Sequence, residues 1–133
     1  MFCAIVRGEA EHSLVYADDL VVAFMDIRPV VTGHLLVVPR RHAAGLADLD
    51  PDDGKRVFAV AQQLAGAIRR SPLPCEGVNL FLADGVVAGQ EVFHVHLHVL
   101  PRTRGDGFGL RLNWRFPPRR ELDGHARQIR SAL

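Results

Sequence analysis

The stretch "EVFHVHLHVLPR", residues 91–102, carries three of the chain's seven histidines at a spacing of two residues. Apolar residues fill the gaps between them, and such alternation predicts a β-strand, here over residues 92–101. Because successive side chains of a strand point to opposite faces, His94, His96 and His98 are expected to share one face. The other face is expected to enter the core through Phe93, Val95, Leu97 and Val99.

A row of imidazoles suits two kinds of chemistry. Histidines separated by one residue on a strand are common metal ligands. A neutral imidazole can instead attack phosphorus, best when a hydrogen bond to its other nitrogen fixes the tautomer. The preceding turn "DGVVAGQ", residues 84–90, favours phosphate chemistry. Its glycines let backbone N–H groups approach an anion, and Gln90 adds an amide donor.

Outward from this strand, the chain has the pattern of a sheet with helices packed against it. Residues 49–71 predict a long helix with Asp50 as its N-cap and an apolar stripe at helical spacing, and residues 117–133 predict a C-terminal helix. Further strands are predicted over residues 12–19, 20–27, 34–39 and 78–83. This order indicates a mainly antiparallel sheet of the α+β class.

Composition narrows the class of protein. A chain of 133 residues with 48% hydrophobic and 23% charged residues is typical of one folded domain. We expect residues 1–110 to form that domain, with residues 111–133 as a tail and helix packed on it. A net charge of +1 argues against a nucleic-acid polymer as partner. No apolar run approaches the roughly 20 residues of a membrane span.

The two cysteines and the N-terminus bear on the compartment. Neither Cys3 nor Cys75 belongs to a Cys-x-x-Cys motif, and two cysteines do not make a disulfide framework. The first twelve residues lack a basic segment followed by an apolar core, so no secretion signal is predicted. A cytoplasmic protein with reduced thiols is therefore expected.

The motif "HVHLHVL" resembles the signature of the histidine triad (HIT) family of nucleotide hydrolases and transferases. Around it, "AGQEVFHVHLHVLPR" (88–102) is similar to the C-terminal signature of bacterial members, and "AFMDIRPVVTGHLLVVPRRH" (23–42) resembles the family's Asp-Ile-x-Pro and Gly-His-x-Leu-Val-x-Pro segments. The resemblance implies a five-stranded antiparallel sheet with one long and one C-terminal helix. It also implies a homodimer in which the long helix and the strand over 78–83 meet their symmetry mates.

The resemblance further implies a reaction. His96 would attack the α-phosphorus of a purine nucleotide, forming a nucleotidyl-histidine that water hydrolyses to a nucleoside monophosphate. His98 and His34 would contact phosphate oxygens, and His94 would orient His96. Substrates would be nucleoside phosphoramidates or dinucleoside polyphosphates. The alternative is a non-catalytic purine-nucleotide-binding or interaction module of the same fold.

Substrate contacts are implied at two further segments. Gln90 and the backbone of Gly89, Gln90 and Glu91 would hold the phosphate. Asp26 would bind the ribose hydroxyls, since a carboxylate can accept two hydrogen bonds, and Ile27 would lie against the base.

Three positions depart from the family pattern or are less regular within it. Ala83 stands where many relatives carry Asn or Gln, so Asn79 is expected to supply that polar contact. Glu91 stands where some branches carry Ser or Thr, and its carboxylate is expected to point away from the anion. Trp114 is a candidate for the C-terminal Trp that reaches the partner's active site in some branches, or it packs within its own tail.

Metal is not implied for catalysis in this family, and no cofactor is required. Some bacterial relatives bind structural zinc through an N-terminal Cys-x-x-Cys, the histidine after the Val-x-Pro segment and the first triad histidine. Cys3, His42 and His94 match three of these four positions. Three ligands are few for a closed structural site, so no metal is predicted, and Cys3, His42 and His94 are the expected ligands if zinc is present.

Overall fold

The computed structural model describes residues 1–133 as five strands with helices on both sides. The strands are β1 (Leu14–Ala17), β2 (Val21–Met25), β3 (Leu35–Pro39), β4 (Gly77–Phe81) and β5 (Leu97–Arg102). The helices are α1 (Phe2–Val6), α2 (Pro51–Arg70) and α3 (Arg119–Ser131). The strands form one antiparallel sheet in the order β1-β2-β3-β5-β4. The predicted α+β class and five-stranded antiparallel sheet are confirmed.

Helix α2 covers one face of the sheet. Asp50 caps it by accepting a hydrogen bond from the Asp52 N–H at 2.8 Å, and Pro51 follows at the first helical position. Its apolar stripe packs on the inward-facing residues of β2, β3 and β5, and the main core consists of Val21, Ala23, Leu35, Val37, Val57, Val60, Ala61, Leu64, Ile68, Leu97 and Val99. The stripe is therefore used within the chain.

The opposite face carries a smaller core that the short helix α1 closes. Phe2 packs there with alternate residues of β2 and β3, and the cluster consists of Phe2, Val22, Phe24, Leu36 and Val38. Helix α1 was not predicted, because five residues are too few to show helical periodicity. Its position is fixed by burial of the Phe2 side chain, and this face also carries the triad histidines.

The triad strand begins later than predicted. Strand β5 starts at Leu97, and the preceding residues run beside the segment after β3, where the Val95 N–H donates to the Ala43 carbonyl at 2.8 Å. Val95, Leu97 and Val99 are buried as predicted. The prediction for Phe93 is wrong, since it precedes the strand and its side chain is 51% exposed.

The C-terminal segment stands apart from both cores. Residues 110–118 form neither helix nor strand, and helix α3 has no buried residue. Trp114 is 76% exposed. The prediction that residues 111–133 pack on the domain does not match this arrangement, because the apolar side chains of the tail lie in solvent. None of the helices combines the length and apolarity needed to cross a membrane.

Candidate active site

The antiparallel register brings the candidate histidines to one end of the sheet. His98 in β5 lies opposite Leu36 of β3 and Phe81 of β4. The His96 ring is 4.9 Å from the His98 ring, measured between centroids. His34, directly before β3, places its ring centroid 5.1 Å from that of His98. Three imidazoles from two segments 62 residues apart therefore form one group.

A backbone hydrogen bond fixes the state of His96. Its Nδ1 lies 2.7 Å from the His94 carbonyl oxygen. Because a carbonyl oxygen only accepts, Nδ1 carries the hydrogen and donates it, and the neutral ring keeps its lone pair on Nε2. The edge of the Phe2 ring packs against the imidazole, with 5.0 Å between centroids. The His94 backbone carbonyl, not its side chain, thus orients His96 as a nucleophile.

His34 and His98 form a hydrogen-bonded pair. The Val30 N–H donates to His34 Nδ1 at 3.2 Å, and His34 Nε2 lies 2.8 Å from His98 Nδ1. Since His34 Nδ1 accepts, its hydrogen lies on Nε2 and is donated to His98. His98 then carries its own hydrogen on Nε2, where it can donate to an anion. His34 is only 3% exposed with both nitrogens engaged, so its predicted contact with phosphate would require one of these hydrogen bonds to break.

The pair is neutral at pH 7. Burial, with smaller contributions from His96 and His34, lowers the pKa of His98 to about 4. Burial also lowers the pKa of His34, against the attraction of the nearby Asp26 carboxylate. The hydrogen-bond pattern agrees, because an added proton would place two donors in contact. His98 therefore acts as a hydrogen-bond donor that does not need a positive charge.

His94 belongs to a second cluster, on the other side of His96. It is buried, and its Nε2 donates to the Pro39 carbonyl at 2.7 Å, which leaves a lone pair on Nδ1. Cys3 Sγ lies 3.4 Å from this Nδ1 and 3.4 Å from Nδ1 of His42. One thiol and two imidazole nitrogens form a donor set that suits zinc, and the carbonyl partner of His94 is a common outer contact of metal-binding histidines.

The glycine turn before the triad is built as predicted, but its donors are not the predicted ones. Gly85 and Gly89 have φ of 94° and 95°, which glycine adopts without strain. Gln90 is buried: its Oε1 accepts from the Gly85 N–H, and its Nε2 donates to the Ala44 and Val92 carbonyls. The Gly89 N–H donates to the Val86 carbonyl. The predicted phosphate contacts of Gly89 and of the Gln90 amide are therefore already used within the turn.

Other backbone donors are free to meet an anion. The N–H groups of Glu91, Val92 and Phe93 make no hydrogen bond within the chain. They follow the turn and precede the histidines, where the sequence alone could not separate free donors from used ones. The Glu91 side chain is exposed and pairs with Arg28, with 3.2 Å between Nη2 and Oε2. Its charge is thus balanced by Arg28.

The predicted nucleoside contacts lie beside the His34–His98 pair. Asp26 accepts a hydrogen bond from the Arg28 N–H at its Oδ1, at 2.8 Å, and its Oδ2 lies 3.5 Å from His34 Nε2. Asp26, His34 and His98 place their ligand atoms within 4.8 Å of one another. Ile27 is 83% exposed and open to a ligand.

The HIT domain family model matches residues 7–105, which include the whole sheet and all the triad histidines. The chain belongs to the HIT family. It is 43% identical over 112 residues to an uncharacterized HIT-like protein of Borreliella burgdorferi, covering 84% of this chain and 81% of that protein.

Solved HIT structures share the architecture of this chain. A zinc-bound histidine triad family protein from Mycobacterium smegmatis has 41% identity and a TM-score of 0.78, with 99% of this chain and 96% of that chain covered. A histidine triad nucleotide-binding protein from Candida albicans has 26% identity and a TM-score of 0.90, with 99% and 95% covered. The relationship therefore extends across the complete fold.

The last two predicted contacts of this HIT protein are Asn79 and Trp114. Asn79 accepts a hydrogen bond from Arg102 at 2.7 Å and lies opposite Leu100, whereas the neighbour of His98 is Phe81, two residues later in β4. Its amide oxygen is thus used by Arg102, and replacement by Asn79 of the polar residue missing at Ala83 stays a prediction. Trp114 is largely exposed, and its predicted part in substrate choice stays a prediction.

Proposed function

We propose that this HIT protein is a nucleotide hydrolase and nucleotidyl transferase. Its substrates are nucleoside phosphoramidates or dinucleoside polyphosphates, and its product is a nucleoside monophosphate. The hydrogen bond from His96 Nδ1 to the His94 carbonyl carries the proposal, because it leaves a nucleophilic lone pair on Nε2. Membership of the HIT family supports the same chemistry.

The first step is attack by His96. A bond forms between Nε2 and the α-phosphorus, and the bond from phosphorus to the leaving group breaks. The leaving group departs with the electron pair of that bond and takes a proton from solvent. The imidazole gains positive charge as it attacks, and the His94 carbonyl stabilises that charge through the Nδ1 hydrogen. His98 donates its Nε2 hydrogen to a phosphate oxygen. The free N–H groups of residues 91–93 are the proposed additional donors.

The second step reverses the covalent bond. Water attacks the phosphorus of the nucleotidyl-histidine and releases one proton to solvent, the phosphorus–nitrogen bond breaks, and the electron pair returns to His96 Nε2. The nucleoside monophosphate leaves, and the water has supplied its new oxygen. The neutral His34–His98 pair keeps its donor hydrogen throughout both steps.

We propose that Asp26 and Ile27 contact the nucleoside. The carboxylate can accept bonds from two ribose hydroxyls, and the exposed Ile27 offers an apolar surface to a purine. The related Candida albicans protein is described as nucleotide-binding.

A homodimer is the proposed assembly. Strand β4 is at an edge of the sheet, and Leu80, Phe81 and the α2 residue Phe58 expose apolar side chains. Exposed apolar side chains beside an unpaired strand edge are typical of protein contacts. In such a dimer the exposed Trp114 would be free to reach the partner's site.

Zinc is proposed as a structural ion held by Cys3, His42 and His94. The geometry of these donors fits it, and the related Mycobacterium smegmatis protein is zinc-bound. When bound, the ion would cross-link helix α1 to the segment after β3 and to the triad. No catalytic step is assigned to it.

A substrate panel tests the proposed hydrolase. Adenosine phosphoramidate, diadenosine tri- and tetraphosphate and their guanosine counterparts should include at least one substrate that yields a nucleoside monophosphate. The His96→Ala variant should lose this turnover but still bind AMP. His125→Ala, at an exposed histidine of α3, is the matched control and should retain full activity. A wild-type protein that binds AMP but turns over no member of the panel is the non-catalytic alternative.

A further inference from the structure

The Asp26 carboxylate lies beside the His34–His98 pair. Its Oδ2 is 3.5 Å from Nε2 of the buried His34, and that nitrogen is 2.8 Å from His98 Nδ1. The Asp26 side chain is itself four-fifths buried and its Oδ1 is held by the Arg28 N–H. The carboxylate is thus fixed beside the pair before any nucleotide binds.

The surroundings of His34 allow only one neutral tautomer without conflict. With the hydrogen on Nε2, His34 can donate to His98 and towards Asp26 while Nδ1 accepts from the Val30 N–H. With the hydrogen on Nδ1, that N–H would face the Val30 N–H, and the Nε2 lone pair would face the carboxylate. The Asp26 carboxylate and the Val30 amide therefore favour the same tautomer from two sides.

The state of His34 decides the state of His98. While His34 Nε2 donates, His98 Nδ1 must accept, and its hydrogen must lie on Nε2. If the His34 hydrogen moved to Nδ1, the hydrogen bond between the two rings could be kept only if the His98 hydrogen moved to its own Nδ1. His98 would then present a lone pair, and not a donor, to a phosphate oxygen. An anion would be repelled at that point.

We propose that Asp26 is a positioning residue that acts through His34 to keep the His98 hydrogen on Nε2, ready for the phosphate. This goes beyond its expected contact with ribose, and its catalytic consequence rests on the proposed hydrolase function. The other titratable group that faces the pair is His96, on the triad segment.

Nuclear magnetic resonance tests the tautomer without any substrate. Long-range ¹H–¹⁵N correlations on the ligand-free protein at pH 7 should show His98 protonated on Nε2 only. Asp26→Ala should give a mixture of the two tautomers at His34 and His98. Asp26→Asn keeps an acceptor oxygen and should restore the wild-type pattern at least in part. Asp19→Ala, at an exposed aspartate of the β1–β2 turn, is the control and should change nothing.

Kinetics separate this role from ribose binding. A 2′,3′-dideoxyadenosine phosphoramidate lacks both ribose hydroxyls, so a ribose contact cannot contribute. Asp26→Ala should still lower kcat for it by roughly tenfold, as expected from loss of donor alignment. In a His34→Gln background the same substitution should add no further loss, since Asp26 acts through His34.

Two results would overturn the inference: unchanged His98 tautomers in Asp26→Ala, or a wild-type rate of that variant on the dideoxy substrate. If the wild-type protein turns over no nucleotide at all, the proposed function fails instead. The resonance experiment still decides the role of Asp26 in that case.

Discussion

Two histidine clusters flank His96, and they differ in which ring atom is left for a ligand. In the phosphate-side pair, His34 and His98, the His98 Nδ1 accepts a hydrogen and the Nε2 hydrogen is free. In the thiol-side cluster, Cys3, His42 and His94, the Pro39 carbonyl takes the His94 hydrogen, and the Nδ1 lone pair is free. A free hydrogen suits an anion, whereas a free lone pair suits a metal ion.

The comparison shows that spacing alone does not assign roles to a row of histidines. His94, His96 and His98 look equivalent in the sequence, and all three are at least partly buried. Their hydrogen-bond partners come from the backbone, from His34 and from the N-terminal helix. The three rings consequently serve as metal ligand, nucleophile and phosphate donor, respectively, in the proposed scheme.

The largest expected effect belongs to the ring between the two clusters. His96→Ala should lower kcat by about 10⁴-fold or more, because no other group on the site presents a lone pair to phosphorus. Steady-state kinetics on the best substrate of the panel would measure it. Activity within tenfold of wild type would mean that another residue is the nucleophile.

The next largest effects are expected in the phosphate-side pair, where substitution of His98 should lower kcat more than substitution of His34. His98→Ala should lower kcat by roughly 10²-fold, as for loss of one donor to the reacting oxygen. His34→Gln should cost less, since it only perturbs His98. If His34→Gln were the more damaging substitution, His34 would itself touch the phosphate, and the comparison between direct and indirect roles would break.

The thiol-side cluster should affect metal content and not chemistry. Cys3→Ala should lower zinc affinity by at least tenfold in a competition assay with a chelating dye, because one of three donors is lost. Cys75→Ala, at the other free cysteine, is the control and should retain the metal. Turnover of the wild-type protein in EDTA should persist, and its loss with recovery on added zinc would give the thiol-side cluster a catalytic role.

The neutral state of the phosphate-side pair should make the stability of the folded protein depend on pH in the acid range. The pKa of His98 is about 4 in the folded protein and near its ordinary value when unfolded, so the unfolded state binds more protons between these values. Stability is therefore present above about pH 6.5 and falls as pH drops towards 4. Urea unfolding should show a loss of about 1–2 kcal/mol from His98 alone, after discounting for its partial exposure.

A His98→Asn variant would sharpen that measurement. Its free energy of unfolding should fall less steeply over the same pH range, because one titrating group is removed. An unchanged slope would assign the pH dependence to other groups.

The smallest effect is expected at Asn79. Asn79→Ala should leave kcat/KM within about twofold of wild type, since its amide bonds Arg102 away from the site, and stability should fall by about 1 kcal/mol. A tenfold loss in kcat/KM would return Asn79 to the substrate site.

Much of the fold followed from local pattern. The alternation in the strands and the capped stripe of α2 specified the sheet and its main helix, and the family motif supplied the strand number. The exposure of Phe93 was not predicted, because alternation assigns a side chain to a face only within a strand, and Phe93 precedes the strand. Helix α1 was missed since its five residues gain their stability from burying Phe2, a tertiary effect.

The sequence predicted which residues belong to the candidate site better than it predicted their hydrogen-bond partners. His34, Asp26 and Cys3 were identified from motifs, but their partners were not. His34 and Cys3 contact histidines more than 60 positions away in the sequence, and the Asp26 contact depends on the burial of His34. Gln90 illustrates the limit. A glutamine after a glycine turn can serve a phosphate or the turn itself, and only the positions of the Gly85, Ala44 and Val92 backbone groups decide between them.

The proposed roles of the three triad histidines depend most on a covalent bond at His96. Rapid acid-free quenching of the protein with substrate, followed by proteolysis and mass spectrometry, would locate any nucleotidyl group. We predict a nucleotidyl adduct on the peptide containing residues 91–102, at His96, which is absent from the His96→Ala variant. Turnover of the same substrate with no adduct at any time point, or with an adduct at His94 or His98, would contradict the division of roles between the two clusters.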